Sequence, residues 1–267
     1  MGEQLVGAQG APATGASGPE PGVVARLIGV FTSPSKTFES IARKPGWDWL
    51  VPVVLAATVT FVYVSVAVPK IDVDAAVAQQ MKMVEKMSQG NLTDQQRSEM
   101  EEKTREGIVA GGSVPRRLIA SLLIAVPLFL VPAVYHGIAT AFGKAKRYMG
   151  VVACYAYLMV IPIITGILST IIAASQASLD ANDVQFNRVL KSNPAAFMDF
   201  QTSNKALLGL LSSLDIFDAI LFVLTAIAIS KATSFTTKGA AIAVGCWWGF
   251  YLLVKLGGGV LWSAFAG

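Results

Sequence analysis

The chain has 267 residues, of which 54% are hydrophobic and only 14% are charged. Soluble domains carry about 25% charged residues, so this composition excludes an ordinary water-soluble domain and indicates a surface that faces lipid. The formal net charge of +4 is typical of basic residues beside membrane spans, and we expect no nucleic-acid partner.

The N-terminal region divides into a polar tail and an amphipathic approach to the membrane. Residues 1–22 are rich in Gly, Ala, Pro and Ser and predict a disordered tail. Residues 23–46 are predicted to be an amphipathic cytoplasmic or interfacial segment. Within it, Pro34 begins a short helix that has Phe38 and Ile41 on one face. That helix either lies in the headgroup region of the bilayer or packs on the rest of the protein.

Residues 47–267 are predicted to form an all-α, polytopic membrane domain of five transmembrane helices. A span needs about 20 predominantly apolar residues, and five stretches of the sequence meet this requirement. They cover approximately residues 50–68, 118–142, 151–174, 206–229 and 240–265. Trp47 and Trp49 lie at the start of the first span, where amphipathic indoles favour the membrane boundary.

Two long polar segments separate the spans. Residues 69–116 have apolar residues at helical spacing, then a break, and then Thr93 with Gln96, a capping-box pair. This segment predicts a helical hairpin in water. Residues 175–205 form the second polar loop.

The basic residues predict how the spans are oriented. The short turns at residues 144–147 and 231–238 carry Lys and Arg and no acidic residue, and the approach to the first span is also basic. With five spans these three segments share one side, which the positive-inside rule places in the cytoplasm. We therefore expect a multi-pass protein of the inner (cytoplasmic) membrane with a cytoplasmic N-terminus. The C-terminus and the hairpin are expected to be extracytoplasmic.

Three blocks of the sequence combine apolar residues with Pro, Gly and Tyr in a recognisable order. They are Thr32 to Ala42 followed by Pro45 and Trp47, Phe142 through Tyr148 and Cys154 to Pro162, and Leu214 to Asp218 through Ser230, Lys231 and Ala232. These blocks resemble the opening motif and two recurring blocks of bacterial Yip-domain proteins, a family named for Ypt/Rab-interacting proteins. The resemblance covers roughly residues 25–265. It implies five spans with a cytoplasmic N-terminus, and it supplies no catalytic residue. The family's eukaryotic members are associated with Rab GTPases and vesicle traffic.

Four polar residues of the predicted spans form the candidate functional site, because polar groups inside a bilayer are energetically costly. They are Lys255, Asp215, Asp218 and His136. Counted at about 1.5 Å per residue, Lys255 and the two aspartates reach similar depths on neighbouring antiparallel spans. An ion pair there either fixes helix register or belongs to an ion, proton or lipid-headgroup pathway, unless Lys255 snorkels outward. His136 either relays protons or makes an interior hydrogen bond.

Prolines and small residues mark further positions along the spans. Pro127, Pro132 and Pro162 are predicted helix-kink positions, whose freed carbonyls either line a cavity or are satisfied by neighbouring helices. Gly245 and Gly249 belong to a small-residue stripe on the last span. Such a stripe favours close helix packing, within the chain or between copies of a homo-oligomer.

No catalytic, metal or cofactor site is predicted. The two cysteines, Cys154 and Cys246, lie in apolar runs and are expected to be buried reduced thiols, and one histidine cannot complete a zinc site or a triad with them. The sequence predicts a non-enzymatic membrane protein of the Yip type that organises membrane phospholipid, unidentified membrane proteins or further copies of itself. The alternative is a small transporter or a lipid- or ion-handling channel that uses the pair of Lys255 with an aspartate. A polar cavity that converges on Lys255 would favour the alternative.

Overall fold

A computed structural model describes residues 21–88, 91–185, 188–198 and 203–266, with the side chains of all but residues 83, 86, 87, 185, 205, 206, 255 and 257–266. The predicted disordered tail, residues 1–22, lies outside the described residues except for its last two. The described part of the chain is helical, and within it the only β-pairing is an isolated bridge between Ile71 and Leu179. The all-α class predicted from the sequence is confirmed.

Among the described residues, four stretches are long and apolar enough to cross a membrane, judged by length and composition: Trp47–Lys70, Val114–Ala141, Tyr148–Ser175 and Thr237–Val254. The described α-helices are α1 (Val23–Thr32), α2 (Pro34–Arg43), α3 (Leu50–Ala67), α4 (Val73–Met87), α5 (Asp94–Gly111), α6 (Val114–Leu122), α7 (Ala125–Ala141), α8 (Tyr148–Tyr157), α9 (Val160–Ser175), α10 (Ala181–Gln185), α11 (Lys205–Leu211), α12 (Ile216–Ala232) and α13 (Thr237–Ala266). Short 3-10 turns form at Trp47–Trp49, Val68–Lys70 and Pro194–Phe197.

The predicted span at residues 206–229 is not a single helix. α11 ends at Leu211, and α12 begins at Ile216 after Asp215, whose Oδ1 accepts a 2.7 Å hydrogen bond from the backbone N–H of Phe217. An aspartate at this position satisfies a backbone donor that a helix start leaves free. The 17 residues of α12 extend about 25 Å, a little less than the roughly 30 Å hydrocarbon core.

Prolines coincide with the interruptions of two of the membrane-length stretches. A helical proline clashes with the carbonyl four residues earlier. The turn between α6 and α7 contains Leu123, four residues before Pro127, and the turn between α8 and α9 contains Leu158, four residues before Pro162. Pro132 lies buried inside α7 without ending it.

The largest core lies around α8, which contacts α1, α2, α3, α7 and α12. All but one of the α8 residues from Gly150 to Tyr157 are buried. Phe38 and Ile41 of α2 are also buried, and the Cys154 thiol of α8 lies 3.5 Å from the backbone carbonyl of Phe38. Of the two placements that the sequence allows for α2, the structure has the helix packed on the protein.

α1 and the tryptophans that precede α3 differ from α2 in exposure. α1 leaves Val24 and Ile28 exposed, as a helix at a membrane surface does. Trp47 is 80% exposed. Trp49 is buried and lies edge-to-face with Phe129 of α7, with the ring centroids 6.2 Å apart. Only Trp47 therefore has the exposure expected of an indole at the membrane boundary.

The connections between the long helices gather at two ends of the bundle. At one end the backbone N–H of Ser234 donates a 2.8 Å hydrogen bond to the carbonyl of Lys144, which joins the turns at residues 142–147 and 233–236. α2 packs beside these turns against α8 and α12. We call this end the basic face.

At the other end, which we call the hairpin face, the ends of α3 and α9 are joined. Lys70 Nζ donates to the carbonyls of Ala173, Ala174 and Gln176 at 2.9, 2.7 and 2.7 Å. The backbone N–H of Leu179 donates to the carbonyl of Lys70 at 2.8 Å. A lysine at the C-terminal end of α9 thus satisfies carbonyls that the helix leaves free.

α4 and α5 form a helical hairpin within residues 69–116. The side chain of Thr93 accepts from the backbone N–H of Gln96, and the side chain of Gln96 accepts from the backbone N–H of Thr93, so the predicted capping box is confirmed. An ion pair of Arg105 with Asp74, 2.6 Å long, also joins the two helices.

Candidate functional site

Asp215 holds the hairpin-face end of α12 against a neighbouring loop. Its side chain is buried, and the residue is only 8% exposed. Besides the contact with the backbone of Phe217, the carboxylate accepts a hydrogen bond from the hydroxyl of Ser192. Hydrogen bonds to an ionised acceptor are roughly twice as strong as neutral ones. The carboxylate therefore both caps α12 and positions the loop around Ser192.

A groove of about 970 Å³ extends along α12 and α13 from this carboxylate. Its walls are mostly apolar, and they include Phe222 and Val223 of α12 and Trp248 of α13. Its hairpin-face end is polar and carries Lys191 and Asp218. The groove therefore has an apolar body and a charged rim.

A second cavity of about 310 Å³ shares Ser192, Asp215 and Asp218 with the groove. Its other walls include Tyr155 of α8, Pro162 of α9 and Leu221 of α12. The two aspartates predicted as site residues thus stand between two cavities, and one of the three predicted kink prolines lines the smaller one.

The side chain of Lys255 lies outside the described residues. The backbone of α13 nevertheless shows how far along the helix pair α12–α13 this residue lies, which we call its height. The rings of Phe222 and Trp248 lie edge-to-face with their centroids 6.3 Å apart. Asp215 lies seven residues before Phe222, and Lys255 lies seven residues after Trp248. Because α12 and α13 run antiparallel from a short turn, these two positions are at the same height. The ion pair of Lys255 with an aspartate stays a prediction.

His136 lies away from the aspartates and lines neither cavity among the described residues. Its ring is 5.4 Å from that of Tyr148 at an interplanar angle of 66°. Its Nδ1 is buried and has no hydrogen-bond partner within the described part of the chain. The two sequence interpretations of His136, a proton relay and an interior hydrogen bond, therefore stay predictions.

The two glycines of the small-residue stripe have different surroundings. A Cβ atom on Gly245 would lie 3.8 Å from the ring of Phe222, and Gly245 lines the groove. A Cβ atom on Gly249 would meet no atom of the described residues within 4 Å. Gly245 therefore faces Phe222 of α12 across the groove, and close helix packing at the stripe stays a prediction.

The prediction that both cysteines are buried is wrong for Cys246. Cys154 is buried in the core, whereas Cys246 is exposed. Successive helical residues are about 100° apart, so the residue after Gly245 points away from α12. Within the described residues, no group of three or more His, Cys, Asp and Glu side chains is placed to hold a metal ion.

A polar cluster beneath α1 was missed by the sequence reasoning. Arg26 is 4% exposed, and its Nη1 lies 2.5 Å from Oδ2 of Asp48. The hydroxyl of Tyr157 donates to the same oxygen at 2.7 Å. The cluster joins α1, the start of the first membrane-length stretch, and α8. Two features of the sequence could have indicated it: Arg26 is a single charge in an apolar run, and Asp48 is a single acid between Trp47 and Trp49.

These features define a multi-pass α-helical membrane protein with a central α8 and a lateral groove. The family model described as Yip1 domain matches residues 28–258, most of the chain. The chain therefore belongs to the Yip1 domain family, and the resemblance seen in the three sequence blocks is confirmed. No curated protein and no solved structure matches it.

Proposed function

We propose that this Yip1 domain protein is a non-enzymatic membrane protein that organises lipid by holding a phospholipid chain in the groove between α12 and α13. The observation that carries the proposal is the groove itself, about 970 Å³ with mostly apolar walls. Large apolar side chains at its mouth, Phe197 and Ile216, are exposed. In a bilayer such a groove is filled by an acyl chain, because water would find few polar partners along these walls.

The charged rim of the groove supports a zwitterionic phospholipid as its occupant. Lipid tails are as apolar as the groove, so selectivity comes from packing and from polar contacts at the rim. Lys191 attracts a headgroup phosphate, and the carboxylate of Asp218 attracts a headgroup ammonium. Both charges lie at the hairpin-face end of the membrane-length helices, where headgroups are found.

Filling the groove tests this function. Gly245→Trp places an indole beside Phe222 in the groove, whereas Gly249→Trp places the same side chain in open space on the same helix. We expect native mass spectrometry of protein released from phosphatidylethanolamine nanodiscs to show retained lipid on the wild type and on the Gly249 variant. The Gly245 variant should retain much less. Equal retention by the two variants would refute lipid binding in the groove.

We also propose that the chain crosses the inner membrane five times, with α12 as the fourth crossing. Support comes from the two ends of the bundle. α2 and the turns at 142–147 and 233–236 lie together at the basic face, and the connection between α3 and α9 lies at the hairpin face. The positive-inside rule favours a cytoplasmic basic face.

A reporter fusion tests the topology. An enzyme that is active only outside the cytoplasm, fused after Gly267, is expected to be active, and the same fusion inserted at residues 144–146 is expected to be inactive. Activity of both fusions, or of neither, would contradict the five-span topology. A fusion inserted between α4 and α5 is also expected to be active.

A second candidate function is an ion or lipid-headgroup pathway past the aspartates, favoured by the two cavities that share Ser192, Asp215 and Asp218. It requires Lys255 to pair with an aspartate at its own height. We expect Lys255→Ala and the double change Asp215→Ala with Asp218→Ala to be non-additive, with a coupling of about 0.5–3 kcal/mol in the free energy of unfolding in detergent. Additive losses would exclude the pair.

A further inference from the structure

A pocket of about 560 Å³ opens at the basic face. Three separate segments line it: α2, the turn before α8, and the C-terminal end of α12. The lining residues are Glu39, Ala42, Arg43, Lys146, Arg147, Lys231 and Ala232. Four of these seven side chains are positively charged, and one is negatively charged.

Backbone contacts hold the three segments of this basic pocket in place. The turns on either side are joined by the hydrogen bond from Ser234 to Lys144. α2 approaches α8 so closely that a Cβ atom on Gly150 would lie 3.2 Å from the carbonyl oxygen of Ala42. Phe38 and Ile41 anchor α2 in the core below. The pocket is therefore built into the fold, although its charged side chains lie at the surface.

The basic pocket has a net positive charge. Its one carboxylate, Glu39, lies 3.3 Å from Arg43. That contact leaves Lys146, Arg147 and Lys231 as an excess of three positive charges around one cavity. Like charges that share a site repel, and an anion between them relieves the repulsion. Lysine and arginine near one another are a recurrent arrangement for binding phosphate.

The depth of the pocket indicates where its anion comes from. The turn at residues 142–147 connects two membrane-length stretches, Val114–Ala141 and Tyr148–Ser175, and Thr237–Val254 begins near Lys231. The ends of membrane spans lie among phospholipid headgroups. Phe142 and Met149, on either side of the basic residues of this turn, are exposed, as side chains in contact with acyl chains are.

We infer that the basic pocket binds the phosphate-bearing headgroup of an acidic phospholipid. Basic pockets between membrane helices are suited to such headgroups, and the excess of positive charge selects against zwitterionic lipid. The site goes beyond the function proposed above. It lies about 24 Å along α12 from Asp215, so changes that fill the groove do not touch it.

The test compares two sets of charge removals in the full chain. The pocket variant combines Lys146→Gln, Arg147→Gln and Lys231→Gln. The control variant removes three positive charges that lie at the same face and do not line the pocket: Lys36→Gln, Lys144→Gln and Lys238→Gln. Each protein is placed in nanodiscs of equal phosphatidylglycerol and phosphatidylcholine, and the lipids retained after release are counted by native mass spectrometry.

We expect the wild type to retain phosphatidylglycerol in preference to phosphatidylcholine. In the pocket variant the ratio of retained phosphatidylglycerol to phosphatidylcholine should fall by about tenfold or more. In the control variant the same ratio should stay within about threefold of the wild-type value. Equal losses in the two variants would show diffuse surface attraction and overturn the inference. So would a wild type without preference.

Two further measurements separate the pocket from misfolding and from a soluble anion. Glu39→Gln removes the single opposing charge and should raise the preference for phosphatidylglycerol, which a folding defect would not do. A lower preference in this variant would contradict the inference. Inorganic phosphate at millimolar concentration should not displace the retained lipid. Complete displacement by phosphate alone would assign the pocket to a soluble anion instead.

Discussion

Asp48→Ala should lower the free energy of unfolding by about 3 kcal/mol. The change removes the carboxylate that contacts Arg26 and accepts from the hydroxyl of Tyr157. Breaking one side of a buried ion pair costs roughly 3–5 kcal/mol, and the 24% exposure of the Asp48 side chain places this pair at the lower end. Unfolding in detergent, followed by circular dichroism, measures the loss.

Two variants make the Asp48 result specific. Glu39→Ala removes the partner of Arg43 in an exposed ion pair and should change stability by no more than about 0.5 kcal/mol. Arg26→Leu combined with Asp48→Leu should recover much of the loss, because replacing both charges removes the desolvation cost as well as the attraction. An Asp48→Ala protein as stable as the Glu39→Ala protein would show that the cluster does not hold α1 and α8 together.

Gly166→Ala should lower the free energy of unfolding by about 2 kcal/mol. A Cβ atom at Gly166 of α9 would lie 2.6 Å from Cγ1 of Val59 on α3, well inside contact distance. Valine is stiff in a helix, so its methyl group cannot turn away at low cost. Close helix contacts at small residues supply much of the packing between membrane helices, and the added methyl group would separate α3 from α9.

The same substitution elsewhere provides the comparison for Gly166. An added Cβ atom on Gly137 of α7 has no neighbour within 4 Å among the described residues, so Gly137→Ala should be neutral or stabilising by up to about 1 kcal/mol. Adding Val59→Ala to Gly166→Ala should restore part of the loss, because it removes the methyl group that clashes. If Gly166→Ala and Gly137→Ala have the same stability in this unfolding experiment, α3 and α9 are not in close contact at Gly166.

Features that depend on neighbouring residues could be predicted from the sequence. The capping box of Thr93 with Gln96 involves residues three apart, and a hydrophobic stretch of spanning length is recognisable from composition alone. Pro127 and Pro162 each act on the carbonyl four residues earlier. In all these cases the determining groups lie within one or two helical turns.

Features that depend on distant residues could not be predicted in the same way. Asp215 interrupts an apolar stretch and is stabilised by Ser192, 23 residues away. Asp48 meets Tyr157 across 109 residues. In both cases the partner is chosen by the packing of helices, which no local pattern contains. The groove likewise arises only when α12 and α13 pack beside the loop at residues 188–198.

Composition also fails to separate the two kinds of apolar surface in a membrane protein. A residue that faces lipid and one that faces another helix both lie in apolar surroundings. Cys246 and Cys154 therefore look alike in the sequence, although only Cys154 is enclosed. Trp47 and Trp49 differ in the same way.

The position of α2 between α8 and α12 has a consequence for the order of assembly. The ribosome completes α2 early in synthesis. The 172 residues from 44 to 215 then have to be added before α12 begins. During synthesis α2 can pack on α8 first, but its contacts with α12 form only after α12 has been made. The exposed apolar side chains of α1, Val24 and Ile28, would keep the N-terminal segment at the bilayer surface during that interval. Truncated chains that end before α12 should therefore leave α2 more accessible to protease than in the full chain.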